Sequence, residues 1–228
     1  MSNQSNPVIG VIGGTGDLGS GLVRRWAKAG FTVIIGSRCP DNATAAAAKL
    51  AAEAQEKNWE HCSVTGLENM AAADQADLVV VTVPFAMQRA VLGSISPNVQ
   101  NKIVIDVTVP LVPPKVARVQ MPPEGSAGQI AQSVLGENVQ VVSAMQNVAA
   151  AHLQTDEPIQ CDVLVCGNSK EARQTVIELI GAIGIRGVHA GLINNAAAAE
   201  ALTSVLINLN RQYKTHTGIQ LTGIDEVT

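Results

Sequence analysis

The sequence predicts an α/β fold, a doubly wound and mainly parallel sheet with a small helical part at its C-terminal end. Three observations point there. Short β-branched runs alternate with helical stretches from about residue 7 to residue 213, and strands alternating with helices build parallel sheets. Ala76 to Val83 is a near-continuous apolar run, as expected of a strand covered on both faces. The first β-branched run leads into a glycine-rich turn that opens a helix.

Val8-Ile9-Gly10-Val11-Ile12 places strand one at about 7–12, and amphipathic Leu18 to Ala29 gives a first helix over about 17–29. Thr32 to Gly36 gives a second strand over 31–36. Ala43 to Lys57 is Ala-rich and therefore a strong helix former. A short strand is expected at 61–64, then the apolar strand at 76–83. Pro84 suits the start of a helix over 85–95. Lys102 to Asp106 is the next strand. Proline-rich loops follow at Val109 to Pro114 and Met121 to Gly125. A helix near 126–135, a strand at 139–144 and a short helix over 146–153 come next. Asp162 to Gly167 is a strand, Ser169 to Ile183 a helix, and Arg186 to His189 the last parallel strand. Asn194 to Tyr213 is apolar on most faces, the pattern of a helix buried between domains or subunits.

The turn Gly13-Gly14-Thr15-Gly16-Asp17-Leu18-Gly19 contains G-x-G-x-x-G from Gly14, between a strand and a helix. That context marks a Rossmann-type dinucleotide site. Gly14 permits the tight turn, Gly16 lets the backbone approach a pyrophosphate, and Gly19 lets helix and strand pack closely. The N–H groups at the helix start hold the anion. In NAD-binding proteins an acidic residue about 20 residues further on bonds the ribose 2′-OH. Here Ser37 and Arg38 stand at the end of strand two, with no Asp or Glu. A hydroxyl and a guanidinium fork suit a 2′-phosphate, so the cofactor is read as NADP(H).

Composition narrows the remaining classes. With 46% hydrophobic residues the chain can fill a core. A net charge of −4 disfavours nucleic acid as a partner. The polar start Met1 to Pro7 lacks the apolar stretch of a signal peptide, and no run approaches a membrane span. The expected location is the cytoplasm. Four cysteines (Cys39, Cys62, Cys161, Cys166) and four histidines (61, 152, 189, 216) show no metal-ligand spacing. The expected organisation is a Rossmann domain over 1–155, and a part over 156–228 that completes the sheet and closes the substrate cleft.

Ligands of open α/β sheets lie beyond the carboxyl ends of the strands. Those ends collect the Gly14–Gly19 turn, Ser37-Arg38, Val83-Pro84-Phe85, Pro110 to Pro113 and Ala144 to Asn147. Val83 and Pro84 are placed under the adenosine or the nicotinamide ribose. Val112 and Ala149-Ala150 are placed at the nicotinamide. Gln146 and Asn147, at a strand end, are candidates to hydrogen-bond the nicotinamide amide or a substrate carbonyl. No acid–base pair stands out, and Tyr213 is the only tyrosine. The inventory suits hydride transfer between two stacked rings, which needs positioning and exclusion of water.

Together these stretches resemble the coenzyme F-420 (F420)-dependent NADP reductases, which pass hydride between NADPH and an 8-hydroxy-5-deazaflavin. The resemblance spans about residues 7 to 222. It rests on Gly13 to Gly19, Gly36-Ser37-Arg38, Pro110-Leu111-Val112-Pro113, Val165-Cys166-Gly167 and, most specifically, Glu200 to Arg211. It implies a homodimer, with NADP contacted by Thr15, Gly16, Asp17, Leu18, Ser37, Arg38, Val83, Val112 and Ala150. It also implies a deazaflavin stacked on the nicotinamide in an apolar pocket, with no side chain needed for proton transfer at the reacting carbon. Three stretches depart from the family pattern. Gln146-Asn147-Val148-Ala149 replaces a His-Thr-Ile-Pro-like run, Asn42 stands where a lysine helps hold the 2′-phosphate, and residues around Asp106-Val107-Thr108 are extra.

Three functions fit these residues. The first is an oxidoreductase joining NADP(H) to the deazaflavin. The second is an NADPH-dependent reductase of FMN, FAD or another small acceptor. The third is an NADP(H)-binding sensor without turnover.

Overall fold

A computed structural model describes residues 6–224. Met1 to Ser5, part of the stretch read for a signal peptide, lie outside the described residues. The elements run β1 (Ile9–Ile12), α1 (Asp17–Lys28), β2 (Thr32–Ser37), α2 (Pro40–Glu56), β3 (Ser63–Glu68), α3 (Asn69–Gln75), β4 (Leu78–Val81) and α4 (Phe85–Ile95). They continue with β5 (Ile103–Asp106), α5 (Ala127–Leu135), β6 (Gln140–Ser143), α6 (Ala150–Leu153), β7 (Asp162–Gly167), α7 (Lys170–Gly181), β8 (Arg186–His189) and α8 (Ala196–Tyr213).

The strands form one sheet in the order β3-β2-β1-β4-β5-β6-β7-β8. Every pairing is parallel except β6 with β7, which meet antiparallel at Val142–Gly167 and Ser143–Cys166. The Rossmann-type α/β fold is therefore as expected, with β7 and β8 running opposite to the other six strands. The chain turns from winding one way to the other between β1 and β4, and that is where a parallel sheet opens a crevice.

Two apolar layers cover the sheet. On one face Leu22, Val23 and Trp26 of α1 join Ala43, Ala47 and Leu50 of α2 and Val176 and Ile180 of α7. On the other, Ala72, Ala73, Val91, Leu92 and Ala131 bring in α3, α4 and α5. Trp26 is fully buried, and its ring N–H donates to the Leu179 carbonyl at 3.0 Å, so α1 is pinned across to α7. A second anchor is electrostatic. Arg24 reaches Glu53 of α2 and Asp156 after α6, each at 2.9 Å. Arg25 donates to the carbonyls of His152 and Glu157.

Several boundaries differ from expectation. The strand expected at 61–64 is β3 at Ser63–Glu68, because all six of its residues pair with β2. The helix α3 was not anticipated; the Glu68 carboxylate accepts from the Met70 N–H at 2.8 Å and starts it. Pro40 begins α2 three residues before the alanine run, in the first turn where its missing N–H costs nothing. The helix expected over 146–153 shrinks to Ala150–Leu153, since Met145 takes a φ of 76° and the chain turns there first. Helix α8 is not buried all round. Ala196, Ala199, Glu200, Ser204 and Leu206 face the protein, while Val205 is 44% and Tyr213 65% exposed.

Candidate functional site

The glycine turn is built as its spacing requires. Gly13 and Gly14 donate to the Gly36 carbonyl at 3.0 and 3.1 Å, tying β1 to β2 at their carboxyl ends. A Cβ on Gly19 would come within 2.8 Å of the Gly14 Cα and 2.6 Å of the Thr82 hydroxyl oxygen, so only glycine permits this closeness. Gly16 occupies the N-cap position of α1 and supplies no side-chain acceptor. The first N–H groups of α1 are thereby left for an anion.

Beside this turn lies a cavity of about 530 Å³. Thr15, Gly16, Ser37, Arg38, Val83 and Pro84, all named from the sequence, line it together. Asn42, Asn69, Thr82, Met87 and Val91 complete much of the wall. No carboxylate lines it, and Arg38 is its one Lys or Arg side chain among the described residues. The Ser37 hydroxyl accepts from the Cys39 N–H at 3.2 Å, which fixes the strand end and leaves its own proton to donate. The arrangement suits a ligand with a pyrophosphate at the glycine turn and a second phosphate at Ser37-Arg38. A larger recess of about 750 Å³ borders α5, β6 and the Asn168-Ser169 turn, but no Lys or Arg lines it.

The other named residues are placed differently. Gly14 lines a neighbouring recess between α1 and α2. Asp17 opens α1 at the surface, and Leu18 packs against the core. Val112 is 46% exposed on the loop after β5, and Ala150 begins α6; neither lines the 530 Å³ cavity. Gln146 and Asn147 are buried, and their amide N–H groups are used inside the protein. Gln146 Nε2 donates to the Asp106 carbonyl at 3.0 Å and to Ser143 Oγ at 2.8 Å. Asn147 Nδ2 donates to the Ala199 carbonyl at 2.8 Å and to Thr203 Oγ1 at 3.2 Å. The hydroxyl of Thr203 in turn donates to the Gln146 carbonyl at 2.9 Å. Sequence patterns alone did not show that α8 holds this turn from below.

Beneath the turn sits a cluster of polar groups with no cation in it. Asp106 is fully buried, accepting from Gln88 Nε2 at 2.7 Å and from Thr108 Oγ1 at 2.6 Å. Burial pushes its carboxyl up to about 6. Glu200 of α8, only 1% exposed, accepts from the N–H groups of Ala127 and Gly128 at 2.7 and 3.0 Å, capping α5 from outside. Burial pushes Glu200 up to about 8 against those two donors, and the charge of Asp106 adds to the rise. The cysteines read as small buried hydrophobes are so placed: Cys161 and Cys166 are buried, and burial pushes Cys166 up to about 11. Among the described residues no group of His, Cys, Asp or Glu is arranged to hold a metal ion. No described helix is long and apolar enough to cross a membrane.

With this geometry in place, the likenesses to known proteins are specific. Residues 8–110, from β1 to the start of the first proline-rich loop, match the family described as NADP oxidoreductase, coenzyme F420-dependent. Over 223 residues the chain is 40% identical to the F420-dependent NADP reductase of Methanocaldococcus jannaschii, covering 95% of this chain and 99% of that one. It is 40% identical over 225 residues to the F420-dependent NADP reductase of Methanothermobacter thermautotrophicus, covering 96% of both. A crystal structure of a proposed F420-dependent NADP reductase from Arthrobacter sp. FB24 superposes with a TM-score of 0.75 at 26% identity, covering 94% of this chain and 99% of that one. The likeness thus runs through the glycine turn, Ser37-Arg38 and the α8 run that holds the Gln146 turn, and the chain belongs to the family of F420-dependent NADP reductases.

Proposed function

We propose that this chain is an oxidoreductase that transfers a hydride between NADP(H) and the deazaflavin coenzyme F420. The carrying observation is the cavity that unites the uncapped glycine turn with Ser37 and Arg38 and has no carboxylate in its wall. The residues fit the group: Gly16 lines the cavity at the N-cap of α1 without a side chain, and α1 offers unspent N–H groups. Gly14, Thr15, Gly16, Asp17 and Leu18 hold the pyrophosphate in this reading, and Ser37 and Arg38 the 2′-phosphate. Val83 and Pro84 underlie the adenosine, and Val112 and Ala150 border the nicotinamide. Gln146 and Asn147 act there through the backbone they fix, since their N–H donors are already engaged.

Bound NADPH supplies the hydride, and reduction of the deazaflavin also takes up one proton, drawn from water. The protein positions the two rings and excludes water from the contact, which is enough for direct hydride transfer. Stopped-flow absorbance tests the reading: NADPH is mixed with the protein and oxidised F420, with FMN in parallel. Rapid bleaching of the deazaflavin alone is expected. Oxidation of NADPH by FMN only establishes the flavin reductase instead, and NADPH binding without turnover of either establishes the sensor.

The homodimer is likewise a proposal, supported by the apolar side chains that α8 and its approach leave exposed, Leu192 at 56%, Val205 at 44% and Tyr213 at 65%. Sedimentation equilibrium is expected to give twice the chain mass, with Val205→Glu shifting the protein toward the single chain.

A further inference from the structure

Asn69 is a buried polar residue that no part of the proposed chemistry uses. It is 4% exposed, at the start of α3 beyond the carboxyl end of β3, and it lines the same cavity as Ser37 and Arg38. Its carbonyl oxygen Oδ1 has no hydrogen-bond partner. That oxygen lies where a Cβ on Gly36 would meet it at 3.0 Å, so the absence of a side chain at Gly36 makes room for the amide. An unpaired buried acceptor carries a desolvation cost that a ligand donor recovers.

The surroundings say which part of NADP(H) comes here. Arg38, Ser37 and Asn42 supply the charged and strongly polar wall. Val83, Pro84, Met87 and Val91 supply an apolar wall along the start of α4. A phosphate belongs on the first wall. A flat, neutral ring with apolar faces and a polar edge belongs between the apolar wall and a neutral amide. Adenine is such a ring: its 6-amino group donates, and the ring nitrogens beside it accept. The oxygen of a primary amide can accept from that amino group. As it stands Oδ1 faces Gly36 and the interior; a half-turn about the terminal torsion, which exchanges the amide's two ends, turns it toward the cavity without backbone movement and sets the NH2 against Gly36.

We infer that Asn69 reads the adenine edge of NADP(H), accepting a hydrogen bond from the 6-amino group, and so sets the base specificity of the cofactor site. The inference rests on the proposal that NADP(H) occupies this cavity. Nothing in it concerns the 2′-phosphate or the hydride acceptor.

The test is a fluorescence titration of the full chain with NADPH and with its analogue in which hydrogen replaces the 6-amino group. The wild type is expected to bind NADPH about tenfold more tightly than the analogue, in line with one hydrogen bond to a well-placed base edge. Asn69→Ala is expected to bind the two alike, with its loss confined to NADPH. Asn69→Leu, which has the same number of side-chain heavy atoms in the same branching, keeps the site filled and is expected to abolish the preference as well. Equal binding of both compounds by the wild type, or a preference that survives in both variants, overturns the inference while leaving the cofactor reading intact. If the wild type binds neither compound, the cofactor reading is overturned, and the inference about Asn69 goes with it.

Discussion

Arg38→Ala is expected to weaken NADPH about a hundredfold while changing NADH about twofold or less. The guanidinium is the one Lys or Arg side chain lining the cavity, and Asn42, which faces the same space, is neutral. A hydrogen bond to a charged group contributes about 1.5–3 kcal/mol, and a bidentate guanidinium–phosphate contact makes two. Among the described residues no second Lys or Arg lines the cavity to take over the 2′-phosphate. NADH offers a hydroxyl at that position and gives up little. Isothermal titration of both nucleotides against wild type and variant decides the matter: a comparable loss for NADH and NADPH removes the 2′-phosphate from Ser37-Arg38.

Stability is expected to fall as the pH rises from about 5 to about 8.5, and Glu200→Gln is expected to flatten most of that slope. Glu200 is pushed up to about 8 and Asp106 up to about 6, both above their ordinary carboxylate values of 4.5 and 3.8. The folded protein therefore holds more protons than the unfolded chain between those values. Stability falls with pH wherever the native state binds the extra proton. The sign is opposite to that of a salt-bridged carboxylate such as Asp162, which hydrogen bonding to Arg186 holds low. The effect is on the order of a few kcal/mol, which for a chain of this size is several degrees of melting temperature. Thermal melts at half-unit pH steps measure it. A wild-type melting temperature that climbs between pH 5 and 8 would show that Glu200 is ionised in the fold at neutral pH.

The phosphate end of the site was legible in the sequence because it is local. Gly14 and Gly19 sit in a turn whose closeness only glycine allows, Gly16 leaves the N-cap without a side chain, and Ser37-Arg38 follows a strand whose end is easily found. The mainly parallel sheet, too, follows from the alternation of elements, although the reversal at β7 does not. What the sequence concealed is made of long-range contacts. Asn69 could not be placed while β3 was read as ending at 64, and the signal that corrects it is small: Glu68 in a position to cap Met70. Gln146 and Asn147 were read as facing a ligand because they follow a strand. Their amides instead turn toward Asp106, Ser143 and a helix more than fifty residues further along. Apolar periodicity also overstated the burial of α8, because alanine and valine at the outer positions look the same in sequence whether or not anything covers them.

During translation, the parts of this protein become competent at different moments. Gly14 to Arg38 emerge early, and the bonds that tie the turn to the end of β2 lie within that stretch and β1. The turn at Met145 and the start of α5 are synthesised well before α8, yet they are held by Thr203 and Glu200 on that helix. A growing chain therefore carries the residues of the phosphate end long before those that hold the turn at Met145, and a ribosome that stalls short of Glu200 leaves α5 uncapped by its carboxylate and that turn without Thr203.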